Sequence, residues 1–404
     1  MNKIAWAWFW SFLADIVGKL APAITILAYY HYYGSLEVAN IVVAYSYVLA
    51  AWTLVDLGLG LYGSREVAAN TEIGSILKLE ITIARLSIFL PIGIVLSVVF
   101  LSVLKLSFSQ SALFVFYLLS RTLSLDWLLR GEERFQEFSH ITQLSLIGQL
   151  FGLALVLALG NAGLQISPLP FLCSGLIIAW MTWLKSGDKS HRVTIHNIRS
   201  AFSHISKSYE LSLVNGLSVI TQQMPLIFLS LTAPVSSFAG FALLHRLVLS
   251  ATTLFVSFGA VFFPRLVRSA KLSVLKAFDE MKKFCGIVIV LATLIALILA
   301  QVATNDYVSR VFLTGVDQPL VLILVIYFVL RSARIAPMRF MIAADLNLQA
   351  IVATALAFLI SFGWLFVLTK FNYLNQMSAA IAFTVSELFT LLVMLFQSWP
   401  MAVR

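Results

Sequence analysis

Four arginines lie deep inside apolar stretches of the sequence, with no acidic residue three or four positions away in the same stretch: Arg121, Arg246, Arg331 and Arg334. A charged side chain at the centre of a bilayer costs about 2.5 to 3.5 kcal/mol, so it should face water, another charge or a polar ligand. A guanidinium group presents a planar fork of donors that matches phosphate oxygens. The pattern predicts a site for an anion such as a diphosphate, with Lys19 as a further cation.

Acidic residues are fewer in these stretches. Asp15 and Glu387 are predicted near the middle of the membrane, where a carboxyl group could bind H⁺ or Na⁺. Asp15 also precedes Lys19 by four residues, so the two could instead neutralise each other on one helix. Three charged residues fall within about two turns of predicted helix ends and are expected to reach the membrane surface: Asp56, Arg85 and Asp126.

The elements that hold these residues are predicted to be membrane helices. Of the 404 residues, 60% are hydrophobic and only 11% are charged, which is typical of polytopic membrane proteins. Stretches of about 20 apolar residues recur along the chain, beginning with a block that we interpret as a retained helix rather than a signal peptide. The predicted spans are 5–32, 38–61, 81–104, 111–130, 138–160, 166–184, 210–232, 237–262, 284–303, 319–341, 349–369 and 377–398.

The distribution of positive charge predicts the topology. With the amino terminus in the cytoplasm, most Lys and Arg outside the spans are cytoplasmic, and both termini share that side. The segment 185–209 is basic and polar and divides the chain near its middle, and its charge also suits anionic lipid headgroups. We predict an all-α fold with about twelve helices in two six-helix lobes around a central cavity, in which 1–184 and 210–404 are the lobes and 185–209 is the linker.

Several other functions are not indicated. Cys173 and Cys285 have no C-x-x-C spacing, and no metal-binding, Walker or Gly-x-Ser-x-Gly motif is present. The net charge of +9 follows membrane topology and gives no reason to expect nucleic acid as a partner. A glycan polymerase or ligase would need a large extracytoplasmic loop, and the longest predicted one, 304–318, is short. We therefore expect neither an enzyme nor a cofactor.

Two segments stand out as motifs at predicted cytoplasmic helix ends. The first, WTLVDLGLGLYGSREVAAN at 52–70, contains Asp56 and Gly58 and then Arg65 and Glu66, which are predicted to open a short surface helix. The second, LDWLLRGEERF at 125–135, contains Trp127, Gly131, Glu132 and Arg134, and also Arg130. Both segments resemble signatures of the polysaccharide exporter, or Wzx-type O-antigen flippase, family. The chain departs from that family at Arg130, where a glutamine is common, and at 36–40, LEVAN, where a Tyr-Gly pair is common.

The resemblance implies translocation of an undecaprenyl diphosphate-linked oligosaccharide from the cytoplasmic to the periplasmic leaflet of the bacterial inner membrane. It implies alternating access coupled to an H⁺ or Na⁺ gradient, with Asp15 and Glu387 as candidate coupling residues and the two motifs as a cytoplasmic gate. Expected partners are the lipid-linked glycan, membrane lipid and other membrane proteins of polysaccharide or lipopolysaccharide assembly.

Two related functions remain open. An exporter resembling the multidrug and toxin extrusion transporters would be expected to carry unpaired deep acids for organic cations, whereas arginines prevail here. A peptidoglycan-precursor lipid flippase would handle a similar diphosphate, but such proteins usually have two further helices.

Overall fold

The computed structural model describes residues 3–69, 71–187, 195–233, 238–303, 317–344 and 346–403, and within these ranges it contains helices and no strands. The predicted all-α fold class is confirmed. The α-helices are α1 (Lys3–Tyr33), α2 (Ser35–Asp56), α3 (Leu59–Ala69), α4 (Gly74–Ser102), α5 (Phe108–Thr122), α6 (Asp126–Gly131), α7 (Phe135–Ala158), α8 (Leu169–Lys185), α9 (Ile195–Thr232), α10 (Ala239–Leu272), α11 (Val274–Ala303), α12 (Gln318–Ala343), α13 (Asn347–Lys370) and α14 (Gln376–Val403).

Each predicted span overlaps one of the long helices. Over the described ranges, nine helices are long and apolar enough to cross a membrane, and the 3₁₀ helix Gly160–Ile166 with α8, bent by 49°, could provide a tenth. The helices also expose apolar side chains, as α4 does at Ile94, Val95 and Val98, which are 67%, 63% and 58% exposed. Such faces suit a lipid environment. The chain is therefore a multi-pass membrane protein.

The chain divides into two compact units, Met1–Ile220 and Thr221–Arg404. Residues 195–209, the second part of the predicted linker, form the start of α9 and belong to the first unit. The predicted cavity between the lobes and the predicted orientation in the membrane stay predictions.

Two predicted spans are interrupted in the structure. The second ends as a helix at Asp56, and the chain then passes through Leu57 and Gly58, whose φ angles are 41° and 71°. A left-handed turn of this kind commonly ends a helix. As a result, α3 begins at Leu59, and the prediction that the short helix opens at Arg65 is wrong.

The fourth predicted span breaks between α5 and α6. There Ser124 Oγ donates to the carbonyl oxygen of Arg121 and to Oδ1 of Asp126, at 2.8 and 3.0 Å. Ser and Asp side chains compete with helical hydrogen bonds in this way. The break frees backbone carbonyl groups inside the first unit.

A buried core in the first unit joins α3, α4, the α6 region and α9. Its members are Leu59, Tyr62, Val67, Leu77, Ile81, Ala84, Leu125, Trp127, Leu128 and Ala201. The start of α9 is tied to this core by polar contacts. Nε2 of His204 lies 2.7 Å from Oε2 of Glu80, and its Nδ1 lies 3.3 Å from Oη of Tyr62. Ser208 Oγ donates to the carbonyl oxygen of Leu57 at 3.0 Å.

Candidate functional site

The two sequence motifs pack directly against each other in the first unit. A Cβ atom on Gly63 would lie 2.5 Å from Cε3 of Trp127, and one on Gly131 would lie 2.8 Å from the carbonyl oxygen of Ser64. The Ser64 hydroxyl donates to the carbonyl oxygen of Trp127 at 2.7 Å. The glycines therefore permit a close contact between α3 and α6 that a larger residue would block.

Asp56 is held by a buried arginine. Arg85 is 2% exposed, and its Nε donates to Oδ1 of Asp56 at 2.9 Å while its Nη1 donates to the carbonyl oxygen of Ser124 at 3.0 Å. Its Nη2 also bonds Asp56. The expectation that Arg85 reaches the membrane surface is wrong, because the break before α6 frees a carbonyl group that needs a buried donor.

The other end of the second motif carries a small charged network. Arg134 donates to Glu132 and Glu137, each at 2.8 Å. The hydrogen bonds to Glu137 are the largest cause that raises the pKa of Arg134, although burial opposes them. The guanidinium group therefore stays charged between α6 and α7.

A cavity of about 190 Å³ lies within the first unit. Arg121, Asp126 and Arg130 line it, together with Trp52, whose ring centroid lies 5.5 Å from Cζ of Arg121. Asp126 thus faces a cavity that it shares with two arginines, instead of reaching the membrane surface as expected. The described charges on its wall sum to one positive charge, which favours a neutral polar or anionic occupant.

The second unit brings three of the predicted site residues together. Nη1 of Arg331 donates to Oε1 of Glu387 at 2.6 Å, and Nη1 of Arg334 lies 3.1 Å from Oε2. The side chains are 13%, 4% and 2% exposed for Arg331, Arg334 and Glu387. Two guanidinium groups thus share one buried carboxylate, which leaves a net positive charge.

Two buried polar residues, His245 and Tyr327, lie close to each other in the second unit, and Tyr327 precedes Arg331 by one helical turn on α12. His245 is fully buried, with its ring centroid 6.3 Å from that of Tyr327. Within the described part of the chain, the two ring nitrogens of His245 have no hydrogen-bond partner, and the hydroxyl of Tyr327 has none either. Leaving such groups unpaired costs about 1 to 3 kcal/mol each. Tyr327 is not predicted as a site residue, because an aromatic residue in an apolar helix does not stand out in the sequence.

The remaining predicted site residues are more scattered. Arg246 is 5% exposed and its Nη2 donates to Oε1 of Gln223 on α9 at 3.4 Å, so an amide and not Glu387 accepts this bond. Glu66 is partly buried on α3. The side chains of three further residues lie outside the described part of the structure: Asp15, Lys19 and Arg65. The described residues contain no group of three potential metal ligands.

No protein-family model and no curated protein sequence matches the chain. Its structure is similar to the eukaryotic MATE transporter AtDTX14, with a TM-score of 0.74, 12% identity and coverage of 98% of this chain and 94% of the other. It is also similar to the lipid II flippase MurJ in an inward closed conformation, with a TM-score of 0.71, 16% identity and coverage of 98% of this chain and 87% of the other. A third similar structure is a MOP superfamily transporter from Pyrococcus furiosus, with a TM-score of 0.65, 14% identity and coverage of 100% of this chain and 96% of the other. The chain has the fold of these transporters.

Proposed function

We propose that this protein is a flippase that moves a polyprenyl diphosphate-linked oligosaccharide, such as an O-antigen repeat unit, from the cytoplasmic to the periplasmic leaflet of a bacterial inner membrane. The observation that carries the proposal is the placement of Arg331 and Arg334 on the single buried carboxylate of Glu387. A diphosphate carries more negative charge than a carboxylate and offers several acceptor oxygens. It can therefore compete with Glu387 for both guanidinium groups.

Ion coupling is a separate part of the proposal, with Glu387 as the first candidate. An inward H⁺ or Na⁺ gradient can drive outward movement of the substrate only if the ion and the diphosphate bind in alternation, so that the ion enters after the substrate has left. A carboxyl group buried in an apolar environment can take up H⁺ or Na⁺ in that step. Arg121, in the cavity of the first unit, is available for an acidic glycan, and Asp15 is a second candidate for ion coupling.

The polarity of the buried charges supports this substrate class over organic cations. Among the described residues of these sites, the acids are Asp126 and Glu387, and they are outnumbered by the arginines Arg121, Arg130, Arg246, Arg331 and Arg334. Among the structural neighbours, the Pyrococcus furiosus transporter is described as having a reverse polarity of its binding pocket that suggests a different function.

A peptidoglycan-precursor flippase is the second candidate, because MurJ shares the fold and is named as a lipid II flippase. The charge argument applies equally to any diphosphate-linked lipid, so an experiment must separate the two. The protein would be produced in cells depleted of their own lipid II flippase. We expect no rescue of growth, whereas rescue would favour the peptidoglycan precursor.

The main test uses a host from which the gene has been deleted. We expect Arg331→Ala, Arg334→Ala, Arg121→Ala and Arg246→Ala to abolish surface glycan at unchanged protein abundance. The control is Arg199→Ala, an exposed arginine on α9, which should leave the glycan intact. Normal glycan in all four variants would refute the proposal, and altered sensitivity to cationic compounds with intact glycan would favour a multidrug exporter.

A further inference from the structure

One face of α7 lines the cavity of the first unit with polar side chains. Thr142, Ser145 and Gln149, preceded by Phe138, all border it. Their spacing of four, three and four residues places them on one helical stripe. The cavity is therefore not an accidental gap between apolar helices, because a regular row of polar groups faces it.

The hydrogen bonds of this row leave acceptors toward the cavity. Thr142 Oγ1 donates to the carbonyl oxygen of Phe138 at 2.9 Å, and Ser145 Oγ donates to that of Thr142 at 2.7 Å. Since each hydroxyl hydrogen is used within the helix, the oxygen lone pairs remain as acceptors. Gln149 uses its Nε2 as a donor to Thr25 Oγ1 at 2.8 Å. The row thus presents acceptor oxygens.

Other parts of the wall complement these acceptors. Arg121 and Arg130 contribute guanidinium donors, and Trp52, Tyr45 and Phe171 contribute apolar rings. A suitable occupant must both donate to oxygens and accept from nitrogens while it covers flat apolar surface. Hydroxyl groups on a carbon ring meet all three conditions.

Size and charge argue against drug-sized ligands, organic cations and hydrocarbon chains as occupants. A cavity of about 190 Å³ is smaller than the roughly 300 to 1,000 Å³ typical of sites for drug-sized ligands. Organic cations are disfavoured by the net positive charge, and a hydrocarbon chain would leave the polar row unpaired. We propose that this cavity binds one monosaccharide ring, neutral or acidic, of the lipid-linked glycan. The inference rests on the proposed flippase function.

The test measures the ratio of two affinities, that for the sugar-bearing lipid and that for the bare lipid. The purified protein would be titrated with undecaprenyl diphosphate and with undecaprenyl diphosphate carrying N-acetylglucosamine or galactose. We expect the wild type to bind one sugar-bearing lipid about tenfold tighter, which is about 1.4 kcal/mol. Gln149→Leu and Ser145→Val should reduce that ratio to about one without changing the affinity for the bare lipid, which also shows that the variants are folded. Gln143→Leu, an amide on the same helix outside the cavity lining, is the matched control.

The other outcomes are informative. A ratio that is unchanged in the cavity variants, or a ratio of one in the wild type with both sugars, would overturn the inference. If the bare lipid does not bind at all, the diphosphate proposal fails separately. The cavity is then judged by titration with free N-acetylglucosamine and glucuronic acid: binding that the two variants lose supports a sugar site, and no binding to the wild type rejects it.

Discussion

Nη1 of Arg331 lies 2.6 Å from Oε1 of Glu387, in a contact that joins α12 to α14 across 56 positions of sequence. Because Arg334 shares the same carboxylate, the two partners are not equivalent. Loss of Glu387 leaves two buried cations together, whereas loss of one arginine leaves a neutral ion pair. Replacement of Glu387 should therefore destabilise the protein more than replacement of one of the two arginines.

We expect Glu387→Gln to lower the free energy of unfolding by about 3 to 5 kcal/mol, because it removes the carboxylate that two buried guanidinium groups share. Added pyrophosphate should recover most of the loss by binding the two arginines. The measurement is the melting temperature in detergent with and without pyrophosphate. Arg334→Gln is the control and should show a smaller loss without rescue. Equal rescue of both variants would contradict the exchange of carboxylate for diphosphate.

The contact of Gly63 with Trp127 predicts a steric penalty. Gly63→Ala should destabilise the protein by about 1 to 3 kcal/mol, since the added methyl group would meet the ring at 2.5 Å and Ile81 at 2.6 Å. Gly363→Ala on α13, where a Cβ atom would have nothing within 4 Å, should be neutral or slightly stabilising. Thermal unfolding compares the two. Similar melting temperatures for both variants would argue against the tight contact between the motifs.

A double-mutant cycle tests the buried pair of Arg85 and Asp56. Arg85→Met takes the guanidinium donor away from the Ser124 carbonyl group and leaves the Asp56 carboxylate with the backbone N–H of Gly60 but without its cation, so we expect a loss of about 3 to 5 kcal/mol. Adding Asp56→Asn removes the uncompensated charge and should restore part of this loss. The free energies of unfolding of the wild type, the two single variants and the double variant give the coupling energy. Strict additivity would mean that the two side chains act independently.

The contacts of His204 predict that Glu80 holds the start of α9 against the first unit. Glu80→Ala removes the acceptor for His204 and for Nδ2 of Asn197, and we expect α9 to detach locally at a cost of about 1 to 3 kcal/mol. Trypsin should then cleave faster at Arg199 or Lys207, which are exposed on this part of α9.

The control for this experiment is Glu72→Ala, which removes an exposed acid near α4 and should leave the cleavage rate unchanged. If Glu80→Ala is cleaved no faster than the wild type, the polar contacts do not hold α9 in place.

Part of the candidate site follows from local sequence. The spacing of Arg331 and Arg334 put both on one helical face, and the structure indeed brings both to Glu387. The neighbourhood of Asp56 was harder to predict. The distance of its partner Arg85 from a helix end predicts a position at the membrane surface, but Arg85 is buried and donates to a carbonyl group at the break between α5 and α6. The local hydropathy does not predict the break between α5 and α6.

The sequence by itself determined the long helices, because a backbone in hydrocarbon must satisfy its own hydrogen bonds, so length and hydropathy suffice to predict a helix. It also identified Arg331, Arg334 and Glu387 as charged residues within these helices. Only the tertiary structure decided which charge meets which partner, and that 195–209 packs on the first unit as part of α9. The physical reason is that pairing depends on how helices far apart in sequence are rotated and packed, and no local pattern encodes this.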